Sequence, residues 1–190
     1  MIDARLLDAV GSLIARHARP GRLPLIGVAG AQGSGKTTLA RAAARRLGAA
    51  SLSLDDVYLT KAERLALARD VHPLFAVRGP PGTHDLELFE QTIAALRAAG
   101  PDSRTPLPAF DKLADDRAPE ADWPVFTGRP SAVLIDGWCL GATPQTEADL
   151  SAPVNALEAE QDAEGRWRRA VNAALAGPYA RTFARLDAVL

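Results

Sequence analysis

The chain is short of several residue types, and each shortage removes a class of explanation. It has a single cysteine, Cys139, so no internal disulfide can form and no cysteine-based zinc site can be built. That suits a reducing compartment, and a cytoplasmic location is expected. No apolar run approaches the roughly 18 residues that a membrane helix needs, so no membrane association is expected. The opening residues Met1-Ile2-Asp3-Ala4-Arg5 put an acid where a signal peptide would carry an apolar block. An excess of one charge is also missing. Lys plus Arg number 22 and Asp plus Glu 23, a formal net charge of −1, so binding to nucleic acid by bulk charge is not expected. Lysine occurs only at positions 36, 61 and 112, which makes each one worth inspection.

What remains is ordinary for a folded chain: 47% hydrophobic and 24% charged residues over 190 positions, the length of one domain. Residues 3–18 set Leu6, Leu7, Val10, Leu13 and Ile14 on one helical face. Residues 23–29 form a short apolar run suited to a strand buried on both faces. A glycine-rich turn follows at 30–35, then a helix over 37–47 ended by Gly48, then a second short strand over 49–54. Thr60-Lys61-Ala62-Glu63 is a capping-box pattern that opens a helix to about Asp70. Residues 72–83 read as loop, and 85–99 as a helix stopped by Gly100-Pro101. A short extended piece is expected at 105–110, a long polar loop at 112–129, and a third buried strand at 131–135 closed by Asp136-Gly137. Helical signals run over 154–186, broken near Gly165 and at Gly177-Pro178, and residues 187–190 start another strand.

Strands alternating with helices argue for an α/β domain with a mainly parallel sheet. The expected organisation is one domain over 1–190: an N-terminal helix over 1–20, a core over 24–140, and a helical segment running into a further strand over 154–190. Three clear strands are few for such a sheet, so the expectation is a sheet left incomplete at the C-terminal side.

Gly30-Ala31-Gln32-Gly33-Ser34-Gly35-Lys36-Thr37 matches G-x-x-x-x-G-K-[ST] in full, between a buried strand and a helix. Glycines let successive N–H groups converge on phosphate oxygens, and the helix N-terminus adds a favourable positive end. Lys36 supplies a point charge for phosphate, and the Thr37 hydroxyl is placed for Mg²⁺. A second acid for the metal is expected at the end of another buried strand, and Asp136 fits that position. The bland alternative is an Asp that only turns the chain before Gly137.

Asp55 and Asp56 follow the second strand, at the edge of a parallel sheet where ligands gather. One could take a proton from a substrate hydroxyl while the other caps a turn or aids the metal; Asp55 is read as the base. In Arg78-Gly79-Pro80-Pro81-Gly82-Thr83-His84-Asp85, a stiff loop delivers polar groups to the start of a helix. Thr83 or Asp85 could simply cap that helix, and Arg78 could be a solvated charge or a grip on a carboxylate or phosphate. Lys112 and Arg117 stand in a charged loop that is either a solvated surface or part of a site. Arg166, Arg168 and Arg169 read as a solvated helical face around one buried aromatic, Trp167, with a lid as the weaker alternative. His17, His72 and Cys139 read as structural.

Together these segments, with Ser53-Leu54-Asp55-Asp56-Val57-Tyr58-Leu59-Thr60, Phe110-Asp111-Lys112 and Asp136-Gly137-Trp138-Cys139-Leu140-Gly141, resemble the D-glycerate 3-kinase family, and more distantly uridine kinase, phosphoribulokinase and bacterial pantothenate kinase. The resemblance implies a three-layer P-loop fold and a kinase that uses ATP and Mg²⁺ on a small hydroxy acid. It implies Asp55 and Lys36 as catalytic residues, residues 30–37 with Thr38 as the nucleotide site, and Thr37 and Asp136 on the metal. On the acceptor side it implies Asp55, Tyr58, Arg78, His84, Asp85, Lys112 and Arg117. Many family members have Glu at the position of Asp136 and continue beyond the point matching Leu190. The rival expectation is a nucleotide-binding module without turnover, or a kinase of pantothenate or a nucleoside. The low aromatic content, 5%, leans towards a small polar acceptor.

Overall fold

A computed structural model describes residues 3–190. The elements in chain order are α1 (Ala4–His17), β1 (Leu25–Ala29), α2 (Lys36–Leu47), β2 (Ala50–Ser53), α3 (Lys61–Asp70), α4 (Leu86–Ala98), β3 (Arg104–Pro106), β4 (Phe110–Asp111), β5 (Asp116–Arg117), β6 (Val125–Thr127), β7 (Val133–Gly137), α5 (Ala156–Gln161), α6 (Arg166–Ala174), a π-helical turn (Leu175–Tyr179), α7 (Ala180–Phe183) and β8 (Ala188–Val189).

The layering follows from strand alternation. Successive side chains point to opposite faces, and both faces of β1 and β7 are apolar. Leu25, Leu52, Val133 and Ile135 face one way and pack on Phe89, Ile93 and Leu96 of α4 and on Tyr179. Ile26, Val28 and Leu134 face the other way, onto Val10 and Ile14 of α1 and the Leu39, Ala40, Ala43, Ala44 stripe of α2. The sheet is parallel, in the order β2-β7-β1-β8, so β7 sits between the first two strands of the sequence. This is the expected three-layer α/β arrangement. Thr60 and Glu63 form the capping box of α3 and Gly48 ends α2 in the left-handed conformation, both as the sequence predicts, and Asp3 caps α1.

Three local expectations need correction, and the expected C-terminal strand is found. Leu6 lies on the exposed side of α1, because Val10 and Ile14 alone reach the sheet deeply. Residues 112–129 are not one open loop: β4 pairs with β5 and β6 with β3, both antiparallel. Gly177-Pro178 does not break the C-terminal helix, because a wider π turn absorbs the proline and the chain stays helical from Arg166 to Phe183. The strand begun at Asp187 is the fourth of the sheet. β8 pairs with β1 at Ile26 and Gly27, and the Asp187 carboxylate accepts from the Leu25 N–H at 2.9 Å and pairs with Arg22. Among the described residues, no helix is long and apolar enough to cross a membrane.

Gly137 has a different role from a turn residue. It is the last, buried residue of β7, and a Cβ there would fall 2.7 Å from Cδ1 and 3.3 Å from Cβ of the buried Leu54. The site's central strand thus ends against the segment that carries Asp55. Gly137→Ala should lower stability by about 1–3 kcal/mol through overpacking. Urea denaturation followed by circular dichroism checks this, and an unchanged midpoint would show that Leu54 gives way freely.

Candidate active site

The sheet delivers its polar groups at the C-terminal ends of the strands. After β1 the chain curls through Gly33 and Gly35, both at positive φ (76° and 87°), conformations that side chains with a Cβ rarely adopt. Gly30 is held by proximity instead, since a Cβ there would fall 2.8 Å from the Ser34 hydroxyl. Gly35, as N-cap of α2, offers no side-chain acceptor, so the first N–H groups of the helix are left for an anion. Lys36 is buried and its Nζ donates to the Ala31 carbonyl at 3.3 Å, folded across the loop. A cavity of about 450 Å³ lies against this loop, lined in part by Val28, Ala29, Gly35, Lys36 and Thr38.

Behind the loop lies Asp136, 1% exposed at the end of β7. Its Oδ2 accepts from the Thr37 hydroxyl at 2.6 Å and from the Ser53 hydroxyl at 3.2 Å. Ser53 is its register partner on β2. Burial raises the Asp136 pKa above the usual carboxylate value, and the two hydroxyl donors oppose it. Its Oδ1 is buried and has no hydrogen-bond partner. A hard, oxygen-seeking divalent cation fits that unused oxygen and the neighbouring Thr37 hydroxyl. Asp136 is therefore not a turn residue.

The acceptor side is assembled from loops. Asp55 and Asp56 lie in a single 3₁₀ turn after β2. Asp55 Oδ1 accepts from the Tyr58 hydroxyl at 2.8 Å, and Oδ2 lies 4.0 Å from Lys112 Nζ. Asp56 is separate from this pair. It lies 3.8 Å from Arg41, and burial pushes its pKa up to about 6, with Arg41 opposing and the charge of Asp136 adding. Asp56, Ser53 and Asp136 also line one cleft of about 590 Å³ against the β3–β6 ribbon.

A short bridge joins these acids to the rigid loop. Leu59 N–H donates to the Thr83 carbonyl at 2.9 Å and Asp85 N–H to the Val57 carbonyl at 2.7 Å. His84 is thereby buried, its ring stacked on Tyr58 at 4.5 Å. Burial lowers the His84 pKa to about 4, only partly opposed by Asp55. Arg78 pairs with Asp115 at 2.5 Å and stands over the Phe110 ring at 5.7 Å. The structure thus brings Asp55, Tyr58, His84, Lys112 and Arg78 into one connected group.

Two candidates are committed elsewhere. Asp85 caps α4 through the Leu88 N–H at 2.9 Å, and its other oxygen takes a 2.8 Å bond from Arg117. Arg117 also donates to the Tyr58 carbonyl at 3.1 Å, so it works as a clip between the two loops. Of the α6 arginines, Arg166 is exposed and Arg169 partly exposed, as a solvated face requires. Arg168, not Trp167, is the buried residue there, bonded to the Leu150 carbonyl and to Asp162. Cys139 is packed, and burial raises its thiol pKa to about 11, which suits a structural residue.

Sequence reasoning missed Ser53, Arg64, Asp115 and Tyr179. Arg64 is 0% exposed and donates to the carbonyls of Leu59, Ala76 and Asp115 as well as pairing with the Asp115 carboxylate at 3.1 Å. Burial raises the Asp115 pKa, but the hydrogen bonds and charges of Arg64 and Arg78 outweigh it and hold the carboxyl below its ordinary range. Asp115 adopts a left-handed φ of 55°, which turns both its oxygen types towards Arg64. Only strand register could have flagged Ser53; nothing local flags the others.

A loop of this form at the head of α2, with an acid on the neighbouring strand, places the molecule among the P-loop nucleotide-binding proteins. Comparison with known proteins narrows the class. Over 200 aligned residues the chain is 32% identical to the uncharacterized kinase mug58 of Schizosaccharomyces pombe, covering 97% of this chain and 70% of that protein. The chain belongs to this family of P-loop kinases. Among solved structures it matches a D-glycerate 3-kinase from Cryptococcus neoformans with a TM-score of 0.78 and 28% identity, over 99% of this chain and 72% of that one. The YGR205w protein (TM-score 0.63, 24% identity, 92% of this chain, 64% of that one) shares the fold. So does a possible uridine kinase from Bacillus stearothermophilus (0.56, 19%, 98% and 97%). No family model matches the chain.

Asp56 and His84 act on stability with opposite sign. A carboxyl with a raised folded pKa makes the folded state bind extra protons between about pH 4 and 6, so its contribution falls as pH rises through that window. The depressed pKa of His84 makes the unfolded state bind more protons between about pH 4 and 6.5, so its contribution rises with pH. In metal-free buffer, Asp56→Asn should therefore gain on the wild type by on the order of 2–3 kcal/mol between pH 4 and pH 7. Denaturant titrations of both proteins at the two pH values measure this, and a constant difference would refute the buried-acid assignment.

Proposed function

We propose that the protein is a kinase that transfers the γ-phosphoryl group of ATP, with Mg²⁺, to a hydroxyl of a small hydroxy acid, D-glycerate first among the candidates. The observation that carries this reading is the placement of Asp55: an acid held by Tyr58 on one oxygen and near Lys112 on the other, at the same sheet edge as the phosphate loop. A module that only bound nucleotide would have no use for it. The likeness to a protein described as D-glycerate 3-kinase, and the group of Arg78, Lys112 and neutral His84 around Asp55, support a small acidic acceptor. The proposed partners are accordingly small molecules, not nucleic acid or membrane.

In this reading the N–H groups at the head of α2 and Lys36 bind the phosphates. Thr37 and Asp136 would hold the metal, which would supply charge neutralisation on the phosphates. Asp55 orients the acceptor hydroxyl and receives its proton as the new P–O bond forms and the bond to the leaving ADP breaks. Arg78 and Lys112 bind the carboxylate of the acceptor. Asp85 and Arg117 act by holding the two acceptor loops in register.

Lys36→Ala should abolish ADP release. Asp55→Asn should keep nucleotide affinity and lower kcat by roughly 10²–10⁴. The assay is ADP release from Mg-ATP with D-glycerate, pantothenate or uridine. Release stimulated by pantothenate or uridine but not by D-glycerate would reassign the acceptor, and no stimulation by any of them, with nucleotide binding intact, would favour a binding module.

A further inference from the structure

Tyr179 ends the π turn, is 1% exposed, and meets edge-on the His84 ring that stacks on Asp55's partner Tyr58. Its hydroxyl oxygen lies 3.0 Å from the Gly82 backbone nitrogen and 2.5 Å from His84 Nδ1. The Gly82 N–H can only donate, so the phenol oxygen accepts there. One phenol proton is then left to place, and His84 Nδ1 is the acceptor within reach. If Nδ1 carried the proton instead, the buried phenol hydrogen would have nothing to bond to. The arrangement that satisfies both groups is a neutral imidazole with its hydrogen on Nε2.

That Nε2 is buried and has no hydrogen-bond partner among the described residues. The same ring stacks on Tyr58, whose hydroxyl donates to Asp55. An uncharged donor is thus linked through Tyr58 to the acid assigned to proton abstraction. Its neutrality matters, since an imidazolium would compete for the nearby carboxylate, whereas a neutral N–H is left to bind an oxygen.

We propose that Tyr179 is a positioning residue that fixes His84 as the Nε2–H tautomer, and that His84 presents this N–H to an oxygen of the acceptor. The acceptor's identity rests on the kinase reading above; the tautomer does not. The C-terminal helical segment therefore takes part in acceptor recognition without touching the acceptor, by setting which nitrogen of a buried histidine is the donor.

The test is long-range ¹H–¹⁵N correlation NMR of the ¹⁵N-labelled full chain at pH 7. The chain has three histidines, so His84→Gln assigns the signal. The expected pattern is the neutral Nε2–H form, with the Hε2 resonance shifting when D-glycerate is added to saturation. In Tyr179→Phe the pattern should change to a mixture of tautomers, and kcat/KM for the acceptor should fall by roughly 10- to 100-fold while the KM for ATP stays unchanged. A wild-type spectrum showing Nδ1–H or the imidazolium overturns the proposal, and that spectrum needs no variant to fold. Tyr179→Phe with an unchanged tautomer and unchanged acceptor kinetics also overturns it. D-Glycerate binding that leaves Hε2 unmoved removes the contact to the acceptor. If D-glycerate perturbs no resonance at all, the substrate reading fails while the tautomer assignment is still decided by the wild-type spectrum.

Discussion

One buried carboxylate sets the terms for the nucleotide half of the molecule. Asp136 ends the central strand at 1% exposure, where an unpartnered charge would cost several kcal/mol. Its hydroxyl donors come from two separate pieces of chain, Thr37 at the head of α2 and Ser53 at the end of β2. Satisfying both requires β7 to lie between β1 and β2 and the glycine loop to curl far enough to bring Thr37 back. The parallel order of the sheet, the loop conformation and the position of Lys36 thus answer to the same local requirement. The unused Oδ1 is what the arrangement leaves free for chemistry.

The acceptor half is held by a different kind of force. Little of it is strand or long helix, and its loops are tied by directional bonds to backbone carbonyls. Arg64 and Arg117 each reach across from one segment to the main chain of another. Arginine suits this because its planar fork can bond several acceptors at once. Strand packing and the bonds to Asp136 position the phosphate loop, while arginine clips position the residues around Asp55.

This division explains what could be read from the sequence. The phosphate loop, the strands around it and the caps of α3 and α4 were legible because each depends on residues close in sequence: glycine spacing, apolar runs, a Thr and a Glu three apart. Asp136 was legible as an acid after an apolar run. The bond from Ser53 was not, because it depends on which strands become neighbours. Asp85 and Arg117 were picked out as site residues, but their pairing with each other, over 32 positions, leaves no local mark. Arg168 was read with Arg166 and Arg169 as one solvated face, and is buried because Asp162 and the Leu150 carbonyl lie where its guanidinium ends. The π turn was read as a break because proline normally ends a helix, and nothing in the local sequence says that a wider turn will accept it.

That turn makes the azimuth of Tyr179 a matter of counting. Each residue advances an α-helix by roughly 100°, so the five residues Leu175–Tyr179 decide which way the phenol points. Removing one of them would let the segment close into a regular α-helix and would carry the ring about a quarter-turn away from His84. Substitutions that preserve spacing can be absorbed there, but a single insertion or deletion, even on an exposed surface of the helix, is a change to the site. The winding of the C-terminal helix and the acceptor loop are therefore tied together, as one unit of length.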